Sequence, residues 1–203
     1  MRGAILAGGH ASRFGGEPKG LEKVGGVRIL DRVVEALADV TDGLPLLIAN
    51  HPAAATWHEK LDVQPDLLQD RGSLGGIYTA IKAASEPVLV VAWDMPFLHS
   101  DLLRALIKPS KSYDVFLPAS DGPLGVEPLC GVYGPTCIGA IRESIDDEDY
   151  RTTAFHEHVR VGTLPVDQIQ QFGDPATLFF NVNSPSDLKR AEELQSESRA
   201  ETG

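Results

Sequence analysis

The 203-residue sequence has little of several features that mark common classes of protein. It has only two cysteines, Cys130 and Cys137, which form no C-x-x-C pair and no metal-ligand spacing, so we expect reduced thiols in or near the core. Basic residues are scarce, because 18 lysines and arginines stand against 29 aspartates and glutamates, for a formal net charge of −11. This deficit argues against general nucleic-acid binding, which depends on cationic surfaces.

Long apolar runs are also missing from the sequence. No stretch is long enough to span a bilayer, and no charged and apolar leader precedes the first strand, so we expect a cytoplasmic protein without membrane contact. The hydrophobic share of 42% and the charged share of 23% are ordinary for a globular protein. The length suits one α/β domain, which we place at residues 1–195, with a polar, disordered tail at 196–203.

Two familiar phosphate-binding loops are absent. No Gly-Lys-Ser or Gly-Lys-Thr occurs, which excludes a P-loop, and no G-x-G-x-x-G follows the first predicted strand, which excludes a dinucleotide loop. The sequence from Leu6 to Lys19 instead reads L-A-G-G-x-x-x-R-F-G-G-x-x-K. Its paired glycines let the backbone approach a ligand closely, and Arg13 and Lys19 supply positive charge. The stretch therefore predicts a site for a nucleoside triphosphate.

Strand-like and helix-like segments alternate along the chain, which predicts a three-layer α/β fold with a mostly parallel sheet. Val88 to Ala92 is β-branched and continuously apolar, as in a central buried strand. The strand–turn–strand order over 114–133 predicts an antiparallel excursion at the edge of the sheet. Phe179 to Asn183 is predicted to be the last strand. Ser184 and Pro185 then predict the start of a helix that ends near residue 194.

Several polar residues follow predicted strands, where open α/β sheets bind their ligands. Asp94 follows the most strand-like run and is suited to Mg²⁺, which takes one or two carboxylates together with phosphate oxygens. The alternative is a turn aspartate before a proline. Asn50 and Asp66 follow the second and third predicted strands, although Asn50 could equally be a turn former. Asp70 is a second candidate beside Asp66, and it could equally be a solvated charge of the loop.

These motifs together resemble the molybdenum cofactor guanylyltransferases, a family of nucleotidyltransferases, over nearly the whole chain. The resemblance is strongest at Leu6–Leu21, Asp94–Pro96 and Asn181–Leu188, where N-V-N-S-P-S-D-L is close to the N-V-N-T-P-E-E-L of the family. It implies a Rossmann-like nucleotidyltransferase fold and transfer of GMP from GTP to the terminal phosphate of molybdopterin, with release of pyrophosphate. It also implies Mg²⁺ as cofactor, and molybdenum-inserting proteins or molybdoenzyme chaperones as candidate partners.

The resemblance also assigns roles to individual residues. It makes Asp94 the Mg²⁺ ligand, and it makes Lys19 and Arg13 the catalytic cations beside the phosphates. The nucleotide contacts that it implies are Leu6, Ala7, Gly8, Gly9, Lys19, Asn50, Asp66 and Asp94. The acceptor contacts that it implies are Asn181, Asn183 and Arg151.

Three other functions stay open at this point. A CTP-dependent molybdopterin cytidylyltransferase is the nearest, and the preference for guanine depends on Gly8, since those relatives read L-A-A-G where this chain has L-A-G-G. A nucleotidyltransferase for a sugar phosphate or an alcohol phosphate would share the first loop but should lack N-V-N-S-P. A non-catalytic adaptor on the same fold would bind GTP without turnover.

Overall fold

The structure, a computed structural model, describes residues 1–8 and 18–201. Gly9 and Arg13, which are among the predicted site residues, lie outside the described residues. Within this part of the chain seven strands form one sheet. From one edge to the other they are β5 (Asp62–Gln64), β4 (Leu46–Ile48), β1 (Arg2–Leu6), β6 (Val88–Ala92), β8 (Cys130–Tyr133), β7 (Val115–Pro118) and β9 (Val161–Leu164). A separate short hairpin is made of β2 (Lys23–Val24) and β3 (Val27–Arg28).

Helices cover both faces of the large sheet. They are α1 (Ile29–Ala38), α2 (Gly72–Ala84), α3 (Ser100–Ser110), α4 (Ile138–Asp146), α5 (Val166–Ile169), α6 (Pro175–Leu178) and α7 (Pro185–Glu201). Buried side chains of α1 and α3 form one core with alternate residues of β1 and β6. Those of α2 and α4 form a second core with the other residues of these strands. The predicted three-layer α/β class is confirmed.

The central strand β6 was predicted correctly. All five of its residues are buried, and it lies between β1 and β8. Val88 and Val90 pack into one core, while Leu89 and Val91 pack into the other, as strand alternation requires. Trp93 and Asp94 follow the strand directly and therefore lie at the carboxyl edge of the sheet.

The antiparallel strand lies inside the sheet and not at its edge, which corrects the predicted position. Six strands run in one direction, and β8 runs against both of its neighbours, β6 and β7. The edges are β5 and β9, each of which is parallel to its neighbour. The local pattern predicted that β7 and β8 are partners, but it held no information on which of them also pairs with β6.

The segment from Phe179 to Asn183 is not a strand, contrary to prediction. It crosses the end of β6, and the amide of Val182 donates to the carbonyl oxygen of Asp94 at 2.9 Å. The side-chain amide of Asn181 donates to the carbonyl oxygen of Phe179 at 2.9 Å, within the segment itself. The amides of Phe179 and Phe180 donate to carbonyl oxygens of α6, so the segment makes no strand ladder and does not join the sheet.

The start of α7 agrees with the sequence, whereas its end does not. The hydroxyl oxygen of Ser184 accepts a hydrogen bond from the amide of Asp187 at 3.2 Å, which caps the helix as predicted. The helix continues to Glu201, so that residues 196–201, expected to belong to a disordered tail, are helical. Over the residues that the structure describes, no helix is both long and apolar enough to cross a membrane.

Asp114 attaches the edge strand β9 to the rest of the sheet. Its carboxylate accepts hydrogen bonds from the backbone amide of Arg160 at 2.9 Å, from Nε of the same residue at 3.0 Å and from Oγ1 of Thr136 at 2.7 Å. The guanidinium of Arg160 is the largest cause that holds the pKa of the Asp114 carboxyl far below its usual value. The ionised carboxylate therefore stabilises the folded state.

We expect Asp114→Asn to lower the Tm at pH 7 by about 3 to 6 °C, because two charge-assisted hydrogen bonds are weakened. Since the pKa is depressed in the folded state, this stabilisation is complete above the usual aspartate pKa of about 4 and is lost as the pH falls towards the folded value. Thermal unfolding between pH 7 and pH 3 measures the effect, with the exposed Asp121→Asn as control. If the difference in Tm between the variant and the unaltered protein stays constant or grows as the pH falls, ionised Asp114 does not stabilise the fold in this way.

Candidate active site

A cavity of about 620 Å³ opens at the carboxyl ends of β5, β4, β1 and β6. The chain passes from β1 to β4 and β5 on one side and later returns to β6 on the other, so the cavity lies where the direction of winding reverses. Open α/β sheets bind their ligands at such points. The predicted site residues that line the cavity are Leu6, Gly8, Lys19, Asn50, Asp66, Asp94, Asn181 and Asn183.

Lys19 is the centre of a polar cluster in this cavity. It begins a short 3₁₀ turn, Lys19–Leu21, and its ammonium group donates to the carboxylate of Asp94. The same group donates to Oδ1 of Asn183 at 2.7 Å. The side chains of Lys19 and Asp94 are only 15% and 7% exposed, and charges interact more strongly away from bulk water. The structure thus brings together three residues that are distant in sequence.

The position of Lys19 depends on a contact that sequence reasoning missed. The next residue, Gly20, lies directly against the indole of Trp93, where an added Cβ would be 2.3 Å from Cε3. Trp93 in turn stacks on Trp57, with 5.0 Å between ring centroids and 24° between ring planes. The only sequence signal was a large aromatic residue at the end of β6, and no local pattern linked it to Gly20.

The segment Asn181–Asn183, called the N-V-N segment below, is bound at the carboxyl end of β6. Besides the bond from Val182 to Asp94, the backbone amide of Asn183 donates to Oδ2 of Asp187 at 3.0 Å, in the first turn of α7. Asn181 and Asn183 both line the cavity. The structure therefore brings both asparagines to one cavity, although the segment is not a strand.

Asn50 and Asp66 form a reciprocal pair at the ends of β4 and β5. The side-chain amide of Asn50 donates to Oδ2 of Asp66 at 2.7 Å, and its Oδ1 accepts from the backbone amide of Asp66 at 2.8 Å. The other carboxylate oxygen of Asp66, Oδ1, is buried and has no hydrogen-bond partner among the described residues. Burial raises the pKa of the Asp66 carboxyl above its usual value, against the smaller effect of the bond from Asn50. Asp70 lines the cavity as well, as a more exposed residue.

Two predicted residues are not part of the cavity wall. Ala7 is buried, and its amide donates to the carbonyl oxygen of Ile48 at 2.9 Å, which extends the pairing of β1 with β4. Arg151 is 75% exposed, and its guanidinium is bound to the carboxylate of Asp149. Neither residue is among the described residues that line the cavity.

The oxygen atoms of the polar cluster suit a metal ion that takes few protein ligands. Asp94 and Asn183 both direct oxygen atoms at the ammonium group of Lys19, so oxygen donors converge on a position that already holds a cationic group. In the described part of the chain, no three histidine, cysteine or acidic side chains are grouped as metal ligands. A metal with few protein ligands, whose other ligands are phosphate oxygens and water, fits this donor set, and Mg²⁺ is such a metal.

A ligand cavity at the reversal point of a mostly parallel sheet, with a glycine after β1 and a buried Lys–Asp pair, suits an α/β enzyme that acts on a nucleotide. The class is that of the transferases. Residues 3–161 match the family described as the MobA-like NTP transferase domain. The chain belongs to this family and is a nucleotidyltransferase.

The chain is similar to named relatives over nearly its whole length. It is 37% identical to the probable molybdenum cofactor guanylyltransferase of Pelotomaculum thermopropionicum, over 97% of this chain and 94% of that protein. It is 31% identical to the molybdenum cofactor guanylyltransferase of Desulfosudis oleivorans, over 95% of this chain and 94% of that protein. The solved structure of molybdopterin-guanine dinucleotide biosynthesis protein A from Archaeoglobus fulgidus has a TM-score of 0.82 and 27% identity, covering 97% of this chain and 100% of that one. The resemblance stated from the sequence is confirmed.

Proposed function

We propose that the protein transfers the GMP moiety of GTP to the terminal phosphate of molybdopterin, which yields molybdopterin guanine dinucleotide and pyrophosphate. The names of the relatives support this activity. The observation that carries the proposal is the pair of hydrogen bonds that the ammonium group of Lys19 donates, one to Asp94 and one to Asn183. One cation thereby joins a residue expected to serve the nucleotide and a residue expected to serve the acceptor.

In this reaction an oxygen of the acceptor phosphate attacks the α-phosphorus of GTP. A new P–O bond forms, the bond from the α-phosphorus to the bridging oxygen breaks, and pyrophosphate leaves with the electron pair. Lys19 stabilises the negative charge that develops on the leaving group. Asn181 and Asn183 orient the acceptor, and Gly8 leaves room for the purine base of GTP. Mg²⁺, held by Asp94 when it is bound, supplies further neutralisation of phosphate charge.

Recognition of guanine is assigned to the Asn50–Asp66 pair. The hydrogen-bonding edge of guanine offers two adjacent N–H donors, and a carboxylate is the acceptor-only group that suits them. The described part of the chain supplies no hydrogen-bond donor to Oδ1 of Asp66, which supports its use as an acceptor for the base. This assignment prefers Asp66 over Asp70, in agreement with the choice made from the sequence.

Gly8→Ala is expected to raise the KM for GTP about tenfold and the KM for CTP by less than half as much, because the smaller base needs less room. No atom of the described residues lies within 4 Å of a Cβ added at Gly8, so we expect the substitution to fill cavity space and to spare the fold. Gly139→Ala on α4, which is also free of contacts within 4 Å, is the matched control. Steady-state kinetics with both nucleotides measure the effect, and an equal loss for GTP and CTP would refute the role of Gly8.

The product of the reaction tests the proposal itself. The protein is incubated with GTP, Mg²⁺ and molybdopterin, and mass spectrometry is expected to detect the guanine dinucleotide and an equal amount of pyrophosphate. A cytosine dinucleotide formed preferentially from CTP would support the cytidylyltransferase. Transfer to a sugar phosphate or an alcohol phosphate would support another nucleotidyltransferase. Tight binding of GTP without any product would support the adaptor.

Some expectations from the sequence stay predictions. They are the contacts of Gly9 and Arg13 with the phosphates, the contact of Arg151 with the acceptor, the chaperone or molybdenum-inserting partners, and the cytoplasmic location. The acidic composition supports the expected lack of nucleic-acid binding.

A further inference from the structure

Arg71 lies at the border of the cavity, in the turn directly before α2. Its neighbours in the chain, Asp70 and Gly72, both line the cavity. Both also have left-handed backbone conformations, with φ values of 59° and 55°. Such a conformation is uncommon for a residue with a side chain, and it gives this turn a sharp and defined shape. The turn therefore presents the residue between them at a set position.

The guanidinium of Arg71 makes two contacts with the described residues, and neither is to a carboxylate. Its Cζ lies 5.0 Å from the centre of the Tyr150 ring, a cation–π contact, and Nη1 donates to the carbonyl oxygen of Asp70 at 3.1 Å. Neither group carries a negative charge. Arg151, by contrast, is bound through Nε to both carboxylate oxygens of Asp149, at 2.9 and 3.1 Å. Of these two arginines, Arg71 has the charge that is available to a ligand.

The charge balance of the cavity calls for a further cation. Among its described lining residues, Lys19 is positive, while Asp66, Asp70 and Asp94 are negative. The reaction brings two anions into this space, the triphosphate and the phosphate of the acceptor. Lys19 is already bound to Asp94, so a second cation beside the acceptor would offset the repulsion. A guanidinium, with its planar fork of donors, binds phosphate oxygens in pairs.

The location of Tyr150 favours the acceptor phosphate over the nucleotide as the anion that Arg71 binds. Tyr150 follows α4, which comes after β8 in the chain and packs beside α2. The Asn50–Asp66 pair lies at the ends of β4 and β5, on the other side of β1. The contact with Tyr150 therefore directs Arg71 away from the end of the cavity that we assign to the base.

We propose that Arg71 binds the phosphate of the acceptor and that the ring of Tyr150 positions its guanidinium. This inference rests on the proposed function. It adds Arg71, to which the resemblance to the family gave no role, to the cations expected on the acceptor side.

The test compares KM values for the two substrates in the full chain. Arg71→Ala keeps the Cβ that lies against Gly75 and removes the guanidinium, so the fold is retained. We expect the KM for molybdopterin to rise about 10- to 100-fold and the KM for GTP to change less than about twofold. Arg71→Lys should restore part of the loss, because an ammonium also binds phosphate. Arg104→Ala on α3, which removes an equal charge far from the cavity, is the control.

Tyr150 supplies an independent arm of the test. Tyr150→Leu should raise the KM for molybdopterin about threefold, and Tyr150→Phe, which keeps the ring face, should reverse that rise. Calorimetric titration of molybdopterin into the protein without GTP should show the same weakening in Arg71→Ala, so the inference is tested even without turnover. If the unaltered protein transfers GMP but Arg71→Ala is normal, or raises the KM for GTP instead, this inference fails and the proposed function stands. If the unaltered protein neither binds molybdopterin nor transfers GMP to it, both fail.

Discussion

Asp94→Asn is expected to lower kcat for nucleotidyl transfer by at least about a thousandfold, which corresponds to about 4 kcal/mol of lost transition-state stabilisation. The substitution keeps the size of the side chain but removes the negative charge that would hold Mg²⁺. The backbone contact from Val182 is made to the carbonyl oxygen of Asp94, so the N-V-N segment should keep its place. The loss should therefore appear in the chemical step and not in the fold.

Two measurements separate catalysis from binding in this variant. GTP affinity in the absence of Mg²⁺ should change less than about tenfold, while pyrophosphate release with Mg²⁺ should be lost. Asp101→Asn on α3, an exposed residue outside the cavity, should behave like the unaltered protein. An Asp94→Asn protein that keeps a tenth or more of the activity would show that this carboxylate is not the metal ligand.

Lys19→Met is expected to lower kcat/KM for GTP by about 100- to 1,000-fold, the size of effect seen when one group that stabilises transition-state charge is removed. Methionine has a similar length and no charge, so it tests the charge and spares the packing. Lys19→Arg should not restore full activity, because the side chain of Lys19 is largely buried and Gly20 lies against Trp93, which leaves little room for the larger guanidinium. Lys23→Ala, an exposed lysine four residues later, is the control.

The direct contact of Lys19 with Asp94 makes a further outcome testable. Because the two side chains are bound to each other, the double variant should lose less activity than the product of the two single losses. If the losses multiply fully, the two groups act independently, and the contact has no role in the reaction. Near-normal rates for Lys19→Met would exclude the lysine from the phosphate site.

Local patterns were sufficient for much of the fold. The continuous apolar run of β6 and the Ser-Pro start of α7 are properties of neighbouring residues, and both were predicted correctly. The place of β8 between β6 and β7 depends on pairing between distant strands, which no local pattern contains. The segment 179–183 has strand-like residues, but its backbone amides bond to α6, to the end of β6 and to the first turn of α7.

The same division applies to the site. Lys19, Asp94 and Asn183 were each predicted from a motif, and the structure brings them into contact. The packing of Gly20 on Trp93 was not predicted, because the two residues are 73 positions apart and neither lies in a phosphate-binding pattern. The placement of Arg71 on Tyr150 is likewise a tertiary contact, made where α2 and α4 pack together.

Pyrophosphate release is the most direct test of the central claim, which is acceptor-dependent transfer from GTP. It is measured with GTP, ATP and CTP, each with Mg²⁺, in the presence and absence of molybdopterin. The account predicts release that is selective for GTP, requires molybdopterin and disappears in Asp94→Asn. Release that prefers CTP, or that is the same without molybdopterin, would contradict it.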